Sequence, residues 1–302
     1  MALITFQNVH LAFGGPVIFD GINLSVEEGE KVSLTGRNGT GKSTLLKLIS
    51  GSVSPDSGFV SIQKGIRVAF LSQEVPPDLA GSVFDEIAGG LQDHFDLVMQ
   101  YHEISNKLSE EDSPALLEKL NRLHNSLDRV NGWEMQQQVD KIISQFGFDA
   151  DAAFNSLSAG LKRQVLLGKT LAGQPHVLLL DEPTNHMDID SIKRLEEFLI
   201  RFSGTLIFVT HDRTFLRKVA NRIVEIDRGK LFSQSCNYDT FLVRKQALLD
   251  AEEAENRLFD KKLVKEEQWI RQGLKARRTR NEGRVRELKK MREARNSRRQ
   301  RS

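Results

Sequence analysis

The stretch Gly36-Arg37-Asn38-Gly39-Thr40-Gly41-Lys42-Ser43 constrains this chain more than any other. It has the form G-x-x-x-x-G-K-S, a phosphate-cradling P-loop. Lys31-Val32-Ser33-Leu34-Thr35 before it reads as a buried strand. Thr44-Leu45-Leu46-Lys47-Leu48-Ile49 after it carries leucines at helical spacing. Strand, glycine loop and helix are the context this motif requires. Glycines let the backbone turn tightly and aim successive N–H groups at phosphate oxygens, and the helix N-terminus adds partial positive charge. On this pattern Lys42 reaches the β- and γ-phosphates and the Ser43 hydroxyl ligates Mg²⁺. An ordinary Gly-rich turn is the bland alternative, and the flanks argue against it.

A second constellation follows downstream. Val177-Leu178-Leu179-Leu180 is an unbroken apolar run suited to a parallel strand covered on both faces. Asp181 and Glu182 stand at its end, where carboxylates are costly unless they have a task. With a P-loop upstream, Asp181 reads as the Walker B acid that holds Mg²⁺ through water. Glu182 is placed to act as general base on the attacking water. A capping acidic pair is the alternative. A further apolar run, Thr205–Thr210, ends in His211, which can reach a γ-phosphate from the same sheet edge.

The alternation of strands and helices predicts a mainly parallel α/β sheet. Strands are expected around Ile4-Phe6, Ile22-Val26, Phe59–Gln63 and Ile66–Leu71, with a closing hairpin of Ile223–Ile226 and Leu231-Phe232. Phe13 lies before the turn Gly14-Gly15-Pro16; stacking on a purine and a core position both fit it. Gln73 ends a strand, where it can reach a metal or water. Residues 82–150 lose strand signals and gain helical periodicity, which predicts an inserted arm of about three helices, one starting at Ser113-Pro114. Ser158-Ala159-Gly160 precedes a helix expected over 165–171, a second anion-binding helix start or a simple Ser cap.

Composition narrows the class. The chain has 302 residues, 39% of them apolar, and one cysteine, Cys236, so it holds no intrachain disulfide. No apolar run reaches the ~18 residues of a membrane span, and the N-terminus lacks the pattern of a signal peptide; a cytoplasmic location is the expectation. The net charge of +2 hides an asymmetry. Residues 241–302 hold 20 Lys+Arg and 10 Asp+Glu, whereas residues 1–240 hold 23 and 31. From Tyr238 onward the chain reads as long helices. Leu248, Ala251, Leu258 and Leu263 mark one apolar stripe, and Val285, Leu288 and Met291 mark another. An antiparallel helical hairpin with an arginine-rich tip is expected. Residues 271–302 carry 14 basic and 3 acidic side chains, more one-sided than a solvated coiled coil, and suited to phosphate contacts near Trp269.

The P-loop, Gln73, Leu157-Ser158-Ala159-Gly160, Asp181-Glu182 and His211 occur in the order of an ATP-binding-cassette ATPase. Asp181-Glu182-Pro183-Thr184-Asn185-His186-Met187-Asp188 resembles the D-E-P-T-N-H-L-D of the ABC-F subfamily, which lacks membrane domains. The tract Trp269–Arg286 resembles the inter-domain linker of its Uup-like branch. The resemblance implies an α/β P-loop NTPase fold, with an N-terminal antiparallel β part, a helical arm and a C-terminal helical-hairpin linker. It implies a cassette over 1–240, with the arm at about 82–150, and a basic linker over 241–302. ATP and Mg²⁺ are the implied cofactors. Gly36, Arg37, Asn38, Gly39, Thr40, Gly41, Lys42, Ser43 and Thr44 would bind ATP, with Phe13 stacking on adenine. Gln73 would join Ser43 and Asp181 at the metal. Ser158, Ala159 and Gly160 would contact ATP on a facing cassette, and Glu182 and His211 would be catalytic. Arg271, Lys275, Arg277, Arg278, Arg280, Arg284 and Arg286 would bind nucleic acid.

Two departures stand out. The signature reads S-A-G where the family usually has S-G-G. The family also carries two cassettes per chain, and this chain has one motif set. An N-terminal half or truncated product of a two-cassette protein is therefore expected, its partner cassette being the other half or a second copy. The ribosome (rRNA or tRNA) or branched DNA is the implied target. An ATPase subunit of a membrane transporter and a non-enzymatic nucleic-acid-binding fragment are the alternatives.

Overall fold

Aliphatic runs with no polar alternation need cover on both faces, and the strands that carry them occupy the middle of the larger sheet. The computed structural model describes residues 2–72, 81–110, 113–129, 132–185, 187–272 and 278–296. It divides into two compact units, Met1–Tyr238 and Asp239–Ser302.

The first unit runs β1 (Ala2–Ala12), β2 (Val17–Glu27), β3 (Lys31–Thr35), α1 (Lys42–Ile49), β4 (Ser57–Ile62) and β5 (Val68–Leu71). Helices α2 (Val83–Ala88), α3 (Phe95–Glu110), α4 (Pro114–Arg129), α5 (Gly132–Phe146) and α6 (Ala159–Ala172) follow. Then come β6 (Val177–Asp181), α7 (Ile189–Arg201), β7 (Thr205–Val209), α8 (Arg213–Val219), β8 (Arg222–Asp227) and β9 (Lys230–Gln234). One sheet has the order β5-β6-β7-β3-β8-β9. Its strands are parallel except β9, which returns antiparallel along β8 as the expected closing hairpin. The other is antiparallel, in the order β2-β1-β4. Both sheets share a core with α1: Phe6, Val26, Leu34, Leu45, Ile49, Ile207 and Val224 lie in one apolar cluster.

The register places the site. Val209 on β7 pairs with Asp181 on one side and Leu34 on the other. The carboxyl ends of β6, β7 and β3 are therefore level. At ~4.8 Å between strands, the residues leaving β6 and β3 stand roughly 10 Å apart across β7.

The arm contains four α-helices among the described residues rather than three. The extra one is α2, six residues started by a capping box: Ser82 Oγ accepts from Asp85 N at 3.1 Å, and Asp85 Oδ2 accepts from Ser82 N at 2.7 Å. Helix α4 begins at Pro114, with Leu117 N bonded to the Ser113 carbonyl. Helix α6 begins six residues earlier than expected, because Ser158 caps it at Leu161 N (3.3 Å).

The second unit contains α9 (Tyr238–Gln272) and α10 (Arg278–Asn296). Its packed face is Leu263, Leu288 and Met291, with Phe259 against them. Of the two anticipated stripes, Leu263, Leu288 and Met291 are buried, whereas Leu248 and Leu258 are 62% and 68% exposed. Phe259, one helical turn before Leu263, packs half-buried against the three. Arg292 adds an ion pair to Glu267 Oε1 at 2.8 Å. Leu263→Ala should destabilise this unit by about 2–4 kcal/mol, read as faster hydrogen exchange in α9 and α10. Unchanged exchange there would show that the helices are not held by this cluster.

Candidate functional site

The loop between β3 and α1 is built on three glycines of positive φ, two of which have no room for a side chain. Gly36 and Gly41 have φ of 145° and 99°. A Cβ on Gly36 would lie 2.5 Å from the Ile226 carbonyl oxygen, and one on Gly41 would lie 2.5 Å from Ile18 Cγ2. Gly39, with φ of 80°, faces open space. Gly41 precedes α1 without a side-chain cap, so no capping side chain occupies the first N–H groups of the helix. Lys42 Nζ folds back onto the Gly36 and Arg37 carbonyls, at 3.0 Å each. Thr40 Oγ1 donates to the Arg37 carbonyl at 2.9 Å. Ser43 and Thr44 are half-buried in the first turn.

Asp181 and Glu182 close the buried end of β6, and both are less than 7% exposed. Burial pulls the Lys42 ammonium below its ordinary range, while the charges of Glu182 and Asp181 push it back up. The fold therefore brings the P-loop lysine within electrostatic reach of both carboxylates. Glu182 has a left-handed φ of 51°, worth about 1–2 kcal/mol of strain in a non-glycine residue. Its N–H donates to the Val209 carbonyl at 3.0 Å. Its Oε2 accepts from His211 N at 3.2 Å, and its Oε1 lies 3.4 Å from His211 Nε2 but has no hydrogen-bond partner. A buried carboxylate oxygen without a donor is costly and suits a group that must accept a proton. Thr184 and Thr210 share a hydroxyl contact of 3.3 Å beside it.

One member of this cluster was not singled out as a candidate from the sequence. Arg163 of α6 is buried, and its Nη2 donates to the Asp181 carbonyl at 2.6 Å. Desolvation lowers its pKa and the Asp181 and Glu182 charges raise it. The available signal was a single arginine beside Val165-Leu166-Leu167, all three buried.

Other candidates are placed as follows. Ser158 and Ala159 are exposed and Gly160 is half-buried; among the described residues no hydrogen bond or ion pair joins Ser158 to the P-loop. Phe13 is exposed, which excludes the core alternative. Gln73, His186, Lys275 and Arg277 lie outside the described residues. Arg271 is in α9, and Arg278, Arg280, Arg284 and Arg286 are in α10. Among the described residues no group of three His, Cys, Asp or Glu could hold a metal. The oxygen donors Ser43 and Asp181 instead fit Mg²⁺, which takes few protein ligands and completes its shell with phosphate and water.

The family model described as ABC transporter matches residues 19–185, spanning the P-loop, Ser158-Ala159-Gly160 and Asp181-Glu182, and an extension of the same description matches 224–302. The chain belongs to this family. Within it, the chain is similar to Uup-like ABC-F proteins: it is 45% identical to the ATP-binding protein Uup of Haemophilus influenzae, over 99% of this chain and 46% of that protein. It is 33% identical to the energy-dependent translational throttle protein EttA of Mycobacterium tuberculosis, over 96% of this chain and 52% of that protein. The chain spans about half the length of the curated relatives it matches. The crystal structure of a nucleotide-free ATP-binding cassette from an ABC transporter superposes with a TM-score of 0.61 at 19% identity, over 81% of this chain and 96% of that one. The cassette fold is thereby shared. Among the described residues no helix is long and apolar enough to cross a membrane.

The glycine geometry separates two substitutions. Gly39→Ala should cost about 1–2 kcal/mol, from backbone conformation alone. Gly41→Ala should cost about 1–3 kcal/mol more, through overlap with Ile18 and Phe19. Urea unfolding of both variants checks this, and equal losses would contradict the steric account.

Proposed function

We propose that this chain hydrolyses ATP and acts on the translation machinery through its basic C-terminal helices. The observation that carries hydrolysis is the Glu182 carboxylate. It is buried, anchored by the His211 N–H at 3.2 Å, and left with one oxygen free to accept. In this reading the P-loop N–H groups and Lys42 hold the β- and γ-phosphates, with the Lys42 ammonium leaving the Gly36 and Arg37 carbonyls for phosphate oxygens. Ser43, Asp181 and Gln73 serve Mg²⁺, which when bound neutralises charge on the phosphates. Glu182 takes a proton from the attacking water, and His211 stands at the γ-phosphate. Phe13, exposed beside its turn, stacks on adenine.

Ser158, Ala159 and Gly160 lie at the outward-facing start of α6, where they complete the ATP site of a second cassette. That cassette is either a second copy or a further part of a longer protein. Full turnover then depends on pairing. Glu182→Gln should lower kcat by about 100-fold or more and retain ATP on a paired form in gel filtration. Wild-type turnover by that variant would remove Glu182 from the role of base.

The relative named a translational throttle supports a target in translation, and the charge of residues 241–302 supports a polyanion there. Ribosomal RNA or tRNA fits both lines, and a cytoplasmic location goes with it. Nothing in the names of the relatives points to branched DNA. Binding to ribosomal RNA should weaken steeply with salt. Arg286→Ala, an exposed position on α10, should reduce the slope of log K against log salt by about 1. An unchanged slope would exclude Arg286 from the phosphate contacts.

A further inference from the structure

We infer that Arg163 is a positioning residue that holds the Asp181–Glu182 peptide in the orientation hydrolysis requires. The inference rests on the reading of Glu182 as base. Three observations carry it. The Arg163 side chain is buried at 4% exposure, and its Nη2 donates to the Asp181 carbonyl at 2.6 Å. That carbonyl belongs to the same peptide plane as the Glu182 N–H, which donates to the Val209 carbonyl at 3.0 Å. Glu182, the residue that follows, sits at a φ of 51°.

The connection is geometric. φ of Glu182 is the torsion between the 181–182 peptide plane and the rest of that residue. A left-handed value is unfavourable for a side chain with a Cβ and persists only where its surroundings over-determine it. The plane is gripped from both sides, by a guanidinium on α6 and by a carbonyl on β7. Released from one grip, the plane can rotate toward right-handed φ. Rotation would swing the carboxylate away from the His211 N–H and the P-loop.

Burial makes the grip strong. A charge-assisted hydrogen bond to a carbonyl is worth more than a neutral one, and more still where water is excluded. The donor meets the main chain just before Glu182, the residue with the left-handed φ.

The test uses this chain with Arg163→Met, Arg163→Lys, Glu182→Gln and the double variant Arg163→Met/Glu182→Gln. Hydrogen exchange at the Glu182 and His211 amides reads the backbone without requiring turnover. Both should exchange about tenfold faster or more in Arg163→Met, with Leu178–Leu180 unchanged. Arg163→Lys, which keeps a cation and a donor in the same place, should recover part of that protection. Steady-state hydrolysis reads the consequence. Arg163→Met should lower kcat about 10- to 100-fold with KM for ATP within about twofold, and add no loss to Glu182→Gln. Unchanged exchange at Glu182 and His211, or losses that multiply in the double variant, would overturn the inference. If instead exchange rises as expected while Glu182→Gln keeps wild-type turnover, the grip stands and the reading of Glu182 as base fails.

Discussion

The site depends on one strand register. Val209 pairs with Asp181 on β6 and with Leu34 on β3, so three strands end at one level. The P-loop, the Asp181-Glu182 pair and the His211 loop therefore leave the sheet side by side. A slip of one residue would turn every side chain of β7 to the opposite face. Both faces of β6 and β7 are buried under aliphatic and aromatic side chains. Packing of particular shapes, Phe208 edge-on to Phe215 among them, resists that slip. The central register thus sets both the stability of the sheet and the alignment of the chemistry.

What the register assembles is costly in electrostatic terms. Asp181, Glu182 and Arg163 are all buried, and an unpaired charge in such a place shifts or neutralises. The cluster balances two carboxylates against Arg163 and the partly buried Lys42. Each cation is pulled down by desolvation, which the same two acids offset only in part. Lys42 is the member bound to carbonyls of its own loop. It is half-buried, whereas Arg163 is buried, and is therefore the one that an arriving phosphate can reach. A site arranged this way favours an anion before any anion is present.

How much of this was legible in the sequence follows from how local each feature is. The P-loop was readable because its conformation is dictated by glycines, and the central strands because four aliphatics in a row admit few other environments. The placement of Asp181 and Glu182 at the buried end of β6 was readable from carboxylates following such a strand. Helix α6 was expected too late because Ser158-Ala159-Gly160-Leu161 resembles loop by composition; only the Ser158 cap reveals the start. Leu248 and Leu258 were misplaced in the apolar stripe of α9, which Leu263 does join, because spacing reports which residues share a face and not which face is covered. The left-handed φ of Glu182 and the grip of Arg163 on the preceding carbonyl had no local signature. They arise where α6 crosses the end of β6, residues 18 apart in sequence.

Charge is distributed on a larger scale by the same economy of position. Residues 1–240 carry a net of −8 and residues 241–302 a net of +10. A polyanion attracts the second set and repels the first, beyond the contact itself only over roughly the Debye length of about 8 Å at physiological salt. In the acidic cassette, glycine backbone, Lys42 and a helix start converge at the P-loop, so positive groups are gathered there by backbone placement and not by net charge. Over residues 241–302 the excess comes from the number of basic side chains instead.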